Sequence, residues 1–214
     1  MTASLVSVTP DAEHVIAYCA RVSNPTNQEN KATEERLLRY CAKHHHWSIF
    51  EQADMTVEVT TTLAIATQLL RHRSFVFQQF SQRYAVPATV EAFSLREQDL
   101  ANRQNSTHTL PEDVTGPLLE RWERLRDQSL MLYQDMLNSG VAKECARFVL
   151  PQCTTTRLYM KGSLRSWITY LQTRSGTDTQ EEHREIANQI QEIFAQQFPM
   201  IARAFEFKGP LETP

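Results

Sequence analysis

Glycine is scarce in this chain, with five residues in 214 against an average of about 7%. Phosphate cradles of the P-loop or dinucleotide type gather several glycines in one short loop, so that bare backbone N–H groups reach the phosphates. No such loop is present, so any nucleotide bound here is held by side chains and helix ends. Cysteine is also sparse. Cys19, Cys41, Cys145 and Cys153 form no C-x-x-C pair, which argues against a zinc knuckle, a redox dithiol or a disulfide-stapled secreted scaffold. There is no basic excess, since 22 Lys and Arg face 25 Asp and Glu for a net charge of -3. A general nucleic-acid binder depends on phosphate neutralisation and carries the opposite balance. Long apolar runs are missing too. The longest, Leu63 to Leu70, is interrupted by Thr67 and Gln68 and is too short to span a bilayer. Met1 to Pro10 has neither a basic n-region nor an apolar h-region. The expectation is a soluble cytoplasmic protein with reduced thiols.

What remains is an ordinary globular mix, 41% apolar and 22% charged, able to bury a core. Leu5, Val6 and Val8 read as a short strand stopped by Pro10, and Asp11 to Ala20 as a helix. Arg21 to Asn30 reads as a loop. Thr33 is positioned to cap a helix running to about His45, with Glu34 and Glu35 in its first turn. Met55 to Val59 alternates as a strand does, and the threonines after it cap a helix from Leu63 to His72. Ser81 to Val86 reads as a second strand ended by Pro87. Residues 94 to 115 are polar and read as a surface excursion. Pro117 starts a helix carrying Trp122, Leu125, Leu132 and Met136 as a core or subunit-interface stripe, and Gly140 ends it. Lys143 to Val149 and Leu164 to Gln172 read as helices. A last long helix runs to about Phe198, capped by Asp178 or Thr179 with Glu181 or Glu182 closing a capping box. The fold class is α/β (α+β): a helix-rich single domain, residues 1–214, with a small mixed sheet and no regular β-α-β alternation.

The densest chemistry is Arg71-His72-Arg73, followed by Gln78, Gln79, Ser81, Gln82 and Arg83. Guanidinium groups backed by hydroxyl and amide donors suit phosphates and uracil-type carbonyls. The bland reading is that cations merely favour helix C-termini. His44-His45-His46 gives no metal site, because consecutive helical residues point about 100° apart. Glu181, Glu182 and His183 read as solvated or capping residues at a helix start, and Phe194, Phe198, Phe205 and Phe207 as packing. The cysteines read as buried small hydrophobes.

The stretch RHRSFVFQQFSQR resembles the R-H-R-x7-S signature of flavin-dependent thymidylate synthases, including the arginine two residues after the serine. His46-Trp-Ser-Ile-Phe-Glu51 resembles the family's H-x-(S/T)-x-F-E segment, and Ala146-Arg147-Phe-Val-Leu-Pro151 its A-R-x-x-L-P segment. Ser163-Leu-Arg165 through Leu171-Gln-Thr-Arg174 resembles its late helix, and Gln180-Glu-Glu182 its closing helix. The chain departs from some members at Gln52, where they have His. It departs again at Gln78-Gln79, where they have Asn-Glu, and at Ser163 and Thr169, where they have Asn. Gln79 therefore lacks a carboxylate.

The resemblance implies reductive methylation of dUMP to dTMP, with FAD as cofactor, methylenetetrahydrofolate as carbon donor and NADPH as reductant, in a homotetramer. It implies that Ser48, Arg71, His72, Arg73, Gln79, Ser163, Leu164, Arg165 and Thr169 contact FAD. It implies that Gln68, Leu69, Leu70, Arg71, Gln79, Phe80, Ser81, Gln82, Arg83, Arg147 and Arg174 hold dUMP, with Arg174 catalytic. Ser81 then reads as a phosphate-binding hydroxyl rather than a nucleophile, since no Ser-His-Asp arrangement is evident. Two other functions compete. A non-catalytic nucleotide- or RNA-binding module would use the Arg71–Arg83 cluster, against the net charge. A phosphotransferase would need a Gly-rich loop and metal-binding carboxylates that are missing. No metal, nucleic acid or membrane partner is expected.

Overall fold

The computed structural model describes residues 1–87 and 89–207. The elements run β1 (Thr2–Val8), α1 (Ala12–Ala20), α2 (Glu34–Lys43), β2 (Asp54–Thr62), α3 (Leu63–Leu69), β3 (Val76–Gln79), β4 (Arg96–Gln98) and β5 (Ser106–Thr109). They continue as α4 (Glu112–Asn138), α5 (Lys143–Ala146), β6 (Thr155–Ser163), α6 (Leu164–Arg174), α7 (Glu181–Gln197) and α8 (Pro199–Ala204). The helix-rich fold with a small sheet agrees with the sequence reading. The described residues form two compact units, one of residues 1–59, 70–78 and 159 onward, the other of residues 60–69 and 79–158.

The four-stranded sheet has the strand order β1-β2-β6-β3. In β2 the alternation is plain in burial: Met55, Val57 and Val59 are fully buried, while Thr56 and Glu58 are half-buried. Met160 and Gly162 do the same for β6, a strand the sequence reading missed. Its signal was present in Thr156, Leu158, Met160 and Gly162, which take the buried positions at period two. Helices α1, α2, α6, α7 and α8 supply Ile16, Leu38, Trp167, Ile190, Phe194 and Ile201 to the core, and Phe198 between α7 and α8 joins them. The C-terminal phenylalanines pack as expected, with Phe194 and Phe198 ring centroids 4.9 Å apart and Phe205 stacked 5.7 Å from Trp47. Ser163 caps α6 by accepting from the Ser166 N–H at 3.3 Å. The expected capping box on α7 does not form. The N-cap is Gln180, because the Thr179 hydroxyl is drawn off to the Thr173 carbonyl. Thr33 is the N-cap of α2, but its hydroxyl accepts from Arg21 Nη2 at 3.0 Å instead of capping.

In the second unit Thr62 caps α3 by accepting from the Ile65 N–H at 3.4 Å. Residues 94–115 are not structureless, since β4 and β5 pair antiparallel. Helix α4 begins at Glu112 rather than Pro117, which lies inside it. Pro117 forfeits one hydrogen bond near the first turn, a cost the long helix absorbs. Gly140, at φ 81°, ends α4 as expected. Its N–H donates to Leu137 O at 3.0 Å and the Val141 N–H to Met136 O at 2.9 Å, the paired bonds of a Schellman motif. The apolar stripe is not core in one chain: Leu125 and Leu132 are exposed, as are Leu118, Leu130 and Met131. Among the described residues, no helix is long and apolar enough to cross a membrane.

Candidate active site

Helix α3 stops at Leu69, so Arg71-His72-Arg73 does not close a helix as the sequence reading expected. The three residues form a turn, in which the Phe75 N–H donates to His72 O at 3.2 Å. Buried ring contacts hold this turn. The His72 ring meets Tyr170 edge-on at 5.0 Å, and Phe75 meets Trp167 at 4.6 Å. Arg71 and Arg73 are exposed, with no partner among the described residues.

Arg174 is the last residue of α6, and its Nε donates to His72 Nε2 at 3.1 Å. Burial first, and the Arg174 charge second, push the His72 imidazole down to about 4. The ring is therefore neutral at pH 7, with its proton on Nδ1 and its Nε2 lone pair turned to the guanidinium. Behind it, His183 Nε2 lies 3.2 Å from the Tyr170 hydroxyl. Burial, then the Arg174 charge and His72, push His183 down to about 4. Burial raises the Tyr170 hydroxyl well above its usual range. His183 is fully buried, which corrects its reading as a solvated or capping residue. Its spacing to Ile186, Ala187, Ile190 and Phe194 places it on the buried face of α7.

The other candidates in this unit are more dispersed. Arg165 is ion-paired with Glu51, and Thr169 Oγ1 donates to the Arg165 carbonyl at 3.1 Å. Leu164 is fully buried, so its side chain is core; Leu70 is exposed. Ser48 lines a cleft of about 480 Å³ with Tyr18, Gln28, Ile49 and Gln52. His44 to His46 are exposed but lie past the end of α2, where His45 turns the chain at φ 57°.

In the second unit, Gln79 Nε2 donates to Thr156 Oγ1 at 3.2 Å. Phe80 lines a pocket of about 340 Å³ with Thr60, Thr155, Thr156 and Arg157. Ser81 to Val86 is not a strand. Ser81 O accepts from the Tyr84 and Ala85 N–H groups at 3.1 and 3.0 Å, which closes a turn directly after β3. Ser81 and Arg83 therefore do not share a strand face. Arg83 pairs with Glu144 at 3.1 Å between exposed side chains, a contact weak enough to yield to a ligand. Gln82 is buried, and its Nε2 finds no acceptor, a donor left unspent where the resemblance implies dUMP. The Arg147 guanidinium lies 5.9 Å from the Phe148 ring. Gln68 is half-buried and Leu69 fully buried. Cysteine chemistry is quiet. Burial raises the thiols of Cys41 and Cys153, and Cys145 is exposed rather than buried.

Residues 4–200 match the protein family described as "Thymidylate synthase complementing protein". The chain belongs to the flavin-dependent thymidylate synthases. It is 51% identical over 215 residues to the probable flavin-dependent thymidylate synthase of Paramecium bursaria Chlorella virus 1, covering 97% of this chain and 100% of that one. It is also 51% identical over 195 residues to the flavin-dependent thymidylate synthase of Synechocystis, covering 91% and 90%. A solved UMP/dUMP methylase, PolB from Streptomyces cacaoi bound with 5-Br dUMP, superposes at a TM-score of 0.84. The two are 26% identical, over 96% of this chain and 94% of that one. The RNA-binding alternative finds no support in these matches.

The residues present fit a flavin dinucleotide. Arg71 and Arg73 are two exposed cations with no partner among the described residues, a donor set suited to a pyrophosphate. Tyr170, Thr156 and Arg157 were not singled out in the sequence, and His183 was read there as solvated or capping. For His183 the helical spacing was the usable signal; for the β6 residues it was the period-two alternation.

Proposed function

We propose that the chain reductively methylates dUMP to dTMP as one catalytic domain, residues 1–214, using FAD, NADPH and methylenetetrahydrofolate. The observation that carries this reading is the meeting of Arg174 with the Arg71-His72-Arg73 turn, through Nε of Arg174 and Nε2 of His72. Arg71 and Arg73 would hold the flavin's phosphates, and Ser48, His72, Gln79, Ser163, Leu164, Arg165 and Thr169 are the remaining FAD candidates. When bound, the flavin supplies the reducing equivalents that turn the transferred methylene into a methyl group.

The protein's own task is to bind, orient and polarise. Arg174 has one N–H donor on His72 and keeps the four on its Nη atoms for a ligand. Placed against the uracil ring, they stabilise negative charge developing at N3 and O2. Arg83, Ser81, Gln82 and Arg147 would take the nucleotide, with Gln68, Leu69, Leu70, Arg71, Gln79 and Phe80 completing its site. Arg83 exchanges its exposed Glu144 partner for phosphate. Gln82 Nε2 gains the acceptor it lacks.

A homotetramer is part of the proposal, supported by the exposed Leu118, Leu125, Leu130, Met131 and Leu132 on α4. Helices with that much apolar surface are normally covered by a partner. A cytoplasmic setting belongs to it as well, because the substrates are charged molecules that do not cross bilayers unaided.

The test is spectroscopic. Purified protein given FAD should show flavin absorbance that bleaches on anaerobic addition of NADPH. With dUMP and methylenetetrahydrofolate it should then form dTMP. Failure to take up FAD would overturn the reading.

A further inference from the structure

We propose that His72 is the positioning residue for Arg174: its ring, packed against Tyr170 and Phe75, accepts the Nε–H and fixes the plane of the guanidinium. The proposal rests on the thymidylate synthase reading for the role of Arg174, but the contact itself is a property of the protein alone. A side chain of four torsions tipped by a planar fork is aimed only if something holds that fork. Here one bond does so, at 3.1 Å, and it occupies Nε while leaving both Nη groups without a partner among the described residues.

The acceptor is well suited to the task. A carboxylate in its place would neutralise the cation, whereas an imidazole accepts the same hydrogen bond and leaves the full positive charge for the ligand. The ring has little freedom to turn away. It meets Tyr170 edge-on at 5.0 Å, Phe75 at 6.4 Å and His183 at 6.2 Å. Tyr170 and His183 are themselves buried and joined through the hydroxyl at 3.2 Å. Burial and the neighbouring guanidinium both keep the imidazole uncharged, as an acceptor must be.

The experiment is a double-mutant cycle between His72→Leu and Arg174→Ala, read by turnover, by FAD titration and by nitrogen NMR of arginine side chains. In the ligand-free protein the Arg174 Nε–H should give a slowly exchanging signal, identified by its loss in Arg174→Lys and absent in His72→Leu. Turnover of His72→Leu should fall about tenfold or more, as misaimed catalytic groups do. As His72 is also an FAD candidate, the variant's FAD affinity should fall, but by less than its turnover, because Arg71 and Arg73 hold the flavin's phosphates in this reading. The double variant should be no slower than Arg174→Ala alone, because both changes remove one interaction. His72→Gln, which keeps an acceptor near the Nε2 position, should recover part of the turnover. It also replaces His72→Leu in the cycle if the leucine variant does not fold.

Losses that multiply in the double variant, or FAD affinity falling in step with turnover, would overturn the proposal. An Nε–H signal unchanged in His72→Leu would do the same. Wild-type protein that never takes up FAD would instead overturn the functional reading, and the NMR outcome would still decide the contact.

Discussion

A single methyl group at Gly162 should disturb the ring cage beneath the candidate site. A Cβ built there comes within 2.6 Å of Cδ1 and 2.7 Å of Cε1 of Phe75, and 3.3 Å from Cβ of Ser166. Real Cβ atoms do not tolerate the first two distances, so the ring must move by the better part of an ångström. It has nowhere easy to go, since Phe75 is buried and meets Trp167 at 4.6 Å, and Trp167 is fully buried with its indole N–H on Met55 O at 2.9 Å. Overpacking of this kind costs about 1–3 kcal/mol. With a urea slope of about 2 kcal/mol per molar, the unfolding midpoint of Gly162→Ala should drop by roughly 0.5–1.5 M. Phe75→Leu costs stability by itself through lost packing. In the double variant it should recover much of the Gly162→Ala loss, because the smaller side chain vacates the space. An unchanged midpoint for Gly162→Ala, or strictly additive losses in the double variant, would show that Phe75 does not close on the glycine.

Other outcomes follow from separate contacts. Glu13 is buried, and its Oε1 accepts from the Ile201 N–H at 2.7 Å. Glu13→Ala should therefore cost about 1–3 kcal/mol in urea unfolding, and Glu13→Gln clearly less, because the amide keeps an acceptor. His183 is fully buried with its imidazole pushed down to about 4 from 6.5. Between those values the unfolded chain binds the extra proton, so the stabilisation is present above pH 6.5 and is lost as pH falls toward 4. Going from pH 7 to pH 5 should cost about 2 kcal/mol through this group, and His183→Gln should show a shallower acid loss by the same titration. Arg73→Ala should weaken FAD binding about tenfold or more in a fluorescence titration, whereas equal affinity would remove its phosphate role. Single Cys→Ser changes at all four cysteines should leave dTMP formation largely intact, and loss of turnover in one folded variant would reopen a thiolate route.

Some of the molecule could be read without coordinates. The strand at Met55 to Val59, the helix from Leu164 and the stop at Gly140 are local matters, decided by residue alternation, helical spacing and a backbone conformation that glycine adopts without strain. The family could also be read, because R-H-R-x7-S and four further segments keep their order along the chain. Local pattern failed where an element depends on what covers it. Strand β6 has only Leu158, Tyr159 and Met160 as large apolar residues, with threonine and glycine filling the other buried positions. Its neighbours, not its own hydrophobicity, make it a strand. The polar segment before α4 folds into β4 and β5 for a similar reason, since each short strand is defined by the other.

The sequence alone determined the chemistry available: which donors and cations exist, that no glycine loop cradles a phosphate, and that the R-H-R triplet is the densest cluster. Only the tertiary structure decided how those groups are used. It turned His72 inward onto Arg174, left Arg71 and Arg73 exposed, and buried His183 against Tyr170. The physical reason is that protonation, exposure and hydrogen-bond partner are set by what surrounds a side chain in space. Residues 72, 174 and 183 meet only when three separate elements pack together.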